Sequence, residues 1–180
     1  PILLKLLAGL NPLPLLMKMK DAVIFAFSTS SSSATLPITL KTAEQKLGVD
    51  NSVASFTVPL GATINMDGTA IMQGVATVFI AQFFGYQLGI DAYLMVILTA
   101  TLASIGTAAV PGVGLITLTL VLDQVGLPVE GIGLIIGVDR LLDMLRTVVN
   151  VTGDGTVATI VAKSEGQLNV DILQDPAAEA

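Results

Sequence analysis

In Asp139-Arg140-Leu141-Leu142-Asp143-Met144-Leu145-Arg146-Thr147-Val148-Val149-Asn150-Val151-Thr152-Gly153-Asp154, helical spacing puts Asp143, Arg146, Thr147, Asn150 and Asp154 on one face. That face carries two carboxylates, a guanidinium, a hydroxyl and an amide. The opposite face is Leu142, Leu145, Val148, Val149 and Val151. In a water-soluble protein such a helix turns its polar side to solvent. The rest of this chain is too apolar for that, so the polar face is expected to point inward, at a ligand or at ions.

Composition supports the inward reading. The chain is 53% hydrophobic and 12% charged, with a mean hydropathy of +0.83. A globular domain carries about 25% charged residues. A chain of 180 residues cannot hide this much apolar surface in one soluble core. A membrane protein with several helical spans is the economical solution. Cysteine and histidine are both absent. Disulfide frameworks, thiolate or imidazole metal sites, Ser-His-Asp triads and cysteine nucleophiles are therefore excluded, and no enzyme is expected. The net charge of -6 comes without a basic patch, so no nucleic-acid partner is expected. The chain opens on Pro1 inside an apolar run. It reads as a fragment lacking an N-terminal portion, not as a protein with a signal peptide.

Taken in order, residues 1–16 read as the end of a membrane helix, with Pro12 and Pro14 marking a break after Asn11. A hairpin is expected over 21–47. Its turn is the run Ser28-Thr29-Ser30-Ser31-Ser32-Ser33-Ala34-Thr35-Leu36-Pro37. A serine run is often a flexible linker, but this one joins two apolar segments each too short to span a bilayer. Hydroxyls suit a re-entrant tip, where backbone groups need substitute partners. A broken helix is expected over 52–84, interrupted at Asn65-Met66-Asp67-Gly68-Thr69. An Asp in mid-membrane costs about 2.5–3.5 kcal/mol, so an unwound segment that binds a cation through Asp67 and freed carbonyls is favoured over a tolerated kink. A second hairpin is expected over 92–123, turning at 104–114, where Pro111 and three glycines forbid a straight helix. A helix follows over 130–163. The remainder, 167–180, reads as a polar and frayed tail.

A broken short segment followed by a helix with a polar midpoint thus occurs twice. Paired interruptions of this kind point to the binding site of a secondary transporter. Lys18, Lys20, Lys41, Lys46 and Lys163 cluster at the first hairpin's ends and near the C-terminus, while 85–91 and 123–131 carry no Lys or Arg. The positive-inside rule then places the C-terminus in the cytoplasm and gives the two hairpins opposite entry sides. The expected fold is an all-α membrane protein with two inverted re-entrant helical hairpins, each followed by a membrane helix.

Four motifs carry a resemblance: Ser31–Pro37, Asn65–Thr69, Ser104–Gly112 and Leu142–Asp154. In this order they resemble the dicarboxylate/amino acid:cation symporters, the family that includes the glutamate and aspartate transporters, over about residues 15–170. The resemblance implies a glutamate-transporter-like transport domain, here 17–166, that moves across the cell membrane like an elevator in a homotrimer. It implies an acidic amino acid as substrate, sodium as the coupling ion, and a surrounding lipid bilayer.

The resemblance also implies roles. Arg146 would pair with the substrate's side-chain carboxylate, Asp143 with its ammonium, and Thr147 and Asn150 with the amino-acid moiety. Ser30, Ser32, Thr69, Val110 and Gly114 would complete the pocket. One sodium would sit among Asn65, Asn150, Asp154 and the Gly61 carbonyl. A second would use Thr63, Ser104, Ile105 and Thr107, and a third Asn65 and Asp67. Oxygen-only ligands suit a hard monovalent cation. Asp143 favours amino acids over plain dicarboxylates, Arg146 favours acidic over neutral ones, and Asp154 favours sodium over protons. Gln73 stands where animal members have a proton-bearing Glu. Sodium would neutralise Asp67 and Asp154 and order the 104–114 tip over the substrate. Three rivals stand beside this reading. An intramembrane aspartyl protease lacks its glycine at Val151. A passive channel leaves Asp143 and Arg146 unexplained. A fragment inactive on its own is the third, with proton coupling as the alternative within the family.

Overall fold

The computed structural model describes residues 2–175. They form an all-helical fold, with no strand among them beyond one isolated antiparallel bridge between Val49 and Leu168. The helices are α1 (Ile2–Ala8), α2 (Pro12–Lys18), α3 (Lys20–Thr29), α4 (Ser32–Gln45), α5 (Asn51–Ile64), α6 (Asp67–Phe83), α7 (Ile90–Ser104), α8 (Val113–Gln124), α9 (Ile132–Ile136), α10 (Asp139–Ser164) and α11 (Val170–Gln174).

Local chemistry sets most of the breaks. The Asn11 side chain accepts from the Leu13 N–H at 3.1 Å and starts α2, with Pro12 in the first turn, where no N–H is needed. α3 stops at Ser30, a left-handed residue with φ 53°. Ser31 is extended, and its hydroxyl accepts from the Ala34 N–H at 3.1 Å to start α4. α7 and α8 are joined by residues 105–112, closed by left-handed Gly112. α5 and α6 are separated by Asn65 and Met66, whose backbones leave the helical region. α3 packs on α4, and α7 on α8.

α10 is the spine. It packs against α1, α3, α4, α5 and α6. Two apolar cores lie along it. One joins Leu15, Ala26, Leu47 and Val58 to Val151, Ala158 and Ala162. The other joins Met72, Ile80, Val96, Leu118, Leu122 and Ile135, with Leu142 at its edge. The polar face of α10 lies at the seam between them. Val151, assigned by spacing to the face opposite those side chains, is fully buried in the first core. The exposed apolar side of α10 is instead the stripe Leu141, Leu145, Val149 and Val157.

Polarity is inverted relative to a water-soluble protein. Asp143, Arg146, Thr147, Asn150 and Asp154 are only 2–5% exposed, while Ile97 and Leu102 on α7, Ile116 on α8 and Ile71 on α6 are all above 60%. Such an outer surface suits lipid or apolar protein, not water. Hydroxyls inside the helices are satisfied by their own backbone, as in Thr77 to the Gln73 carbonyl at 2.7 Å and Thr159 to the Gly155 carbonyl at 2.8 Å. Among the described residues, no helix is both long and apolar enough to cross a membrane.

Two expectations differ from the structure. A single helix over 130–163 was expected. The chain instead runs through a 3-10 turn (Val129–Gly131) and α9, then loosens at Gly137 and Val138 before α10. Both residues keep right-handed dihedrals, so periodicity alone gives no sign of the break. The polar tail was expected to fray, yet it is docked as far as Asp175; 176–180 lie outside the described residues. Asn169 N–H donates to the Gly48 carbonyl at 2.8 Å, and Asp50 N–H to the Gln167 carbonyl at 3.1 Å. Leu173 is buried in the first core. The buried Lys18 ammonium donates to the Ile172 carbonyl at 2.5 Å, in the last turn of α11, where a cation meets the helix's negative end.

The neighbouring Asp50 carboxylate accepts from the Ser52 hydroxyl at 2.5 Å and its N–H at 2.9 Å. These bonds hold its pKa below the ordinary 3.8. The stabilisation is present above pH 3.8 and is lost as pH falls through the lowered value. Gly48 is left-handed, at φ +74°, and faces the Asn169 carbonyl; Gly166, at φ +69°, faces open space. Gly166→Ala is expected to cost about 1–2 kcal/mol through backbone strain alone. Gly48→Ala should cost distinctly more, because its methyl meets backbone. Thermal melts of the two variants in detergent check this order.

Candidate functional site

Arg146 and Asp143 are three residues apart on α10, and their side chains meet. Arg146 Nε donates to Asp143 Oδ1 at 2.8 Å, with both side chains about 4% exposed. The second carboxylate oxygen, Oδ2, accepts from the Gly112 N–H at 2.7 Å. This bond ties the end of the 105–112 turn to α10. Arg146 Nη1 is buried without a hydrogen-bond partner. A buried charged donor left open is costly, so it marks a place for an acceptor.

Arg146 and Asp143 also line a narrow cavity of about 10 Å³ between the two helix-pair turns, the α5–α6 break and α10. Ser30, Ser32, Thr69, Val110, Asp143, Arg146, Thr147 and Asn150 line it, together with Met66, Thr107, Ala108, Ala109 and Val113. Ser30 brings a buried hydroxyl that also lacks a partner. Its left-handed backbone is strained for a non-glycine residue, as occurs where a site needs a particular geometry. Thr147 is turned partly away, its hydroxyl donating to the Asp143 carbonyl at 2.8 Å. Gly114 lies directly against the guanidinium, which a Cβ there would displace.

Asn150 holds the helix break in place. Its Oδ1 accepts from the Gly68 N–H at 2.7 Å, one of the N–H groups that the start of α6 leaves without a helical partner. Its Nδ2 faces Met66 Sδ at 3.2 Å and Thr69 Oγ1 at 3.5 Å.

The expected ion ligands fall into three groups. Asn65, Asn150, Asp154 and Gly61 are together. Asn65 Nδ2 donates to Asp154 Oδ1 at 2.9 Å and to the Asn150 carbonyl at 3.3 Å, and Gly61 closes against the Asp154 carboxylate. Asp154 is 2% exposed, and this hydrogen bond to it comes from a neutral amide. Thr63, Ser104, Ile105 and Thr107 are not joined in this way. The three hydroxyls bond to carbonyls just upstream in the chain, those of Leu60, Thr101 and Ala103, and Thr63 and Ile105 are exposed. Asp67 is exposed at the start of α6, beside an apolar groove formed with Ile2, Leu3, Val148 and Val149.

Sequence reasoning missed four contributors. Gly68 lets α6 touch the Arg146 backbone, where any Cβ would collide. Met66 lines the cavity. Buried Gln73 donates to Thr117 Oγ1 at 2.6 Å, tying α6 to α8. Ser31 donates to the Ala109 carbonyl at 2.7 Å, joining the two turns. Gly68 and Met66 lie in the interrupted Asn65–Thr69 stretch and Ser31 in the serine run, but their particular contacts had no signal in the sequence.

A buried ionic site held between two helix-pair turns and a broken helix, inside an apolar shell, is the architecture of a membrane transporter's binding core. The sequence matches the Sodium:dicarboxylate symporter family over residues 1–164, and the chain belongs to that family. It is 48% identical to excitatory amino acid transporter 4 of Mus musculus over 161 residues, which is 89% of this chain and 29% of that protein. It is 54% identical to an excitatory amino acid transporter of Caenorhabditis elegans over 151 residues, 84% of the chain and 30% of that protein. Against excitatory amino acid transporter 3 of Homo sapiens it is 49% identical over 163 residues, 91% of the chain and 31% of that protein. The chain therefore spans about 30% of the length of these relatives.

The two close-approach glycines should respond differently to alanine. Gly68→Ala presses on backbone and is expected to destabilise the protein by about 1–3 kcal/mol. Gly114→Ala presses on the end of a flexible side chain and should shift the melting temperature much less, at the expense of the Arg146–Asp143 bond. Melting curves of both variants in the same detergent test the contrast.

Proposed function

We propose that this chain is the substrate- and ion-binding core of a sodium-coupled symporter for aspartate and glutamate. The observation that carries the reading is the buried Asp143–Arg146 pair in the cavity wall, with one guanidinium nitrogen lacking a partner. An acidic amino acid offers an ammonium and two carboxylates. Asp143 takes the ammonium, and Arg146 takes the side-chain carboxylate through its planar fork. The ligand thus exchanges one internal ion pair for two new ones. Asn150, Thr147, Ser32 and the backbone near Ser30 and Val110 hold the remaining carboxylate.

Sodium answers the other acids. Asp154 with Asn65 and the Gly61 and Asn150 carbonyls offers one negative charge and several neutral oxygens, a set suited to a monovalent hard cation. Asp67 with Asn65 supplies a further ion position. Thr63, Ser104, Ile105 and Thr107 supply another once the 105–112 turn is drawn toward α5. Carrying Asp154 across the bilayer without its cation is unfavourable, so ion and substrate move together. The α3–α4 and α7–α8 pairs act as re-entrant hairpins entering from opposite sides, with the C-terminus cytoplasmic. The unit slides as an elevator within a longer, homotrimeric protein that supplies the scaffold.

Arg146→Ala in the intact protein is expected to lower sodium-driven uptake of radiolabelled aspartate in proteoliposomes by more than about 100-fold, since a lost charge-assisted bidentate contact exceeds one neutral hydrogen bond. Uptake at the parental rate would overturn the assignment. Asp154→Asn should weaken the sodium dependence of uptake. A sodium titration that superimposes on the parent's would remove Asp154 from the ion site.

A further inference from the structure

We infer that Ser31 is a latch between the two hairpin turns and a positioning residue for the binding cavity. The inference rests on reading that cavity as the substrate site. Ser31 itself does not line the cavity; its neighbours Ser30 and Ser32 do, as does Ala109. The Ser31 hydroxyl accepts from the Ala34 N–H at 3.1 Å and so starts α4. Capping needs only an acceptor, which leaves the hydroxyl proton free. That proton goes to the Ala109 carbonyl at 2.7 Å, across 78 positions of sequence, in a buried bond. The Ser33 N–H adds a longer contact of 3.4 Å to the same carbonyl.

The geometry makes one side chain set two things at once. It fixes the start of α4, and it holds the non-helical 105–112 turn over the cavity. Ala109 lies in the stretch between α7 and α8 where helical hydrogen bonding has stopped, so its carbonyl is available to an outside donor. The second turn is otherwise fastened at its far end, where Gly112 N–H donates to Asp143. Ligand access through this face requires the Ser31–Ala109 bond to open. An acidic amino acid that holds Asp143 and the first turn together restores it.

The two roles of the hydroxyl separate by substitution. Ser31→Asp keeps an acceptor for the α4 cap but has no proton for Ala109, and sets a negative charge against the carbonyl. Ser31→Ala loses both functions. Ser31→Thr keeps both, and Ser31 is extended, at φ -144°, where a β-branched residue is at ease. The chain has no cysteine, so Ala109→Cys, with its backbone carbonyl retained, reports opening by its rate of maleimide labelling. The intact protein is used in proteoliposomes, with any cysteine outside this chain replaced by serine. Ser31→Asp and Ser31→Ala are expected to label roughly 3- to 10-fold faster than the parent, the range that loss of one buried hydrogen bond produces. Ser31→Thr should label at the parental rate. The KM for aspartate should rise in the Asp and Ala variants and stay unchanged in Thr. Parental labelling rates in both Asp and Ala variants would overturn the latch, even if aspartate still protects the cysteine. Faster labelling in both variants with no protection by aspartate would keep the latch and remove the substrate reading.

Discussion

An ion pair buried in an apolar protein governs this structure. Asp143 and Arg146 face each other at 2.8 Å with almost no exposure. Removing two such charges from water costs several kcal/mol per ion, and their attraction offsets this only with good geometry and further hydrogen bonds. The surroundings supply part of that. Gly112 N–H binds the second carboxylate oxygen, while Gly114 and Gly68 give the room α8 and α6 need to approach Arg146. One guanidinium nitrogen remains unanswered. That leaves a buried charged donor open, the feature on which the proposed binding of a charged ligand rests.

The two cores explain why the site sits where it does. One packs around α2–α5 and the C-terminal half of α10, the other around α6–α9. At their seam, helices end and restart, and the freed backbone groups meet the side chains of α10. Asn150 illustrates the logic. It answers the Gly68 N–H released by the α5–α6 break, and the Asn150 carbonyl accepts from Asn65 on the other side of that break.

The sequence made the centre legible and left the edges dark. Five polar residues at helical spacing in a chain this apolar had one economical orientation, and Asn65–Thr69 broke an otherwise uncharged stretch. The serine run marked a turn, but nothing in four consecutive serines distinguished Ser31, whose partner lies 78 positions away. The burial of Lys18 was equally hidden, because a carbonyl 154 residues distant receives it. Leu168, Val170, Ile172 and Leu173 make too short an apolar run among polar residues to signal the docking of the C-terminal segment. The loosening at Gly137 keeps helical dihedrals and so leaves the hydrophobic pattern unbroken.

If charges held in an oily interior are answered by a cargo and its ions together, then each must strengthen the other's binding by the same factor. Equilibrium binding of aspartate to the purified intact protein, measured by calorimetry across a range of sodium concentrations at constant ionic strength, addresses this directly. The account requires aspartate affinity to rise steeply with sodium, more than in proportion to its concentration. An affinity that stays constant from sodium-free buffer to saturating sodium would contradict it.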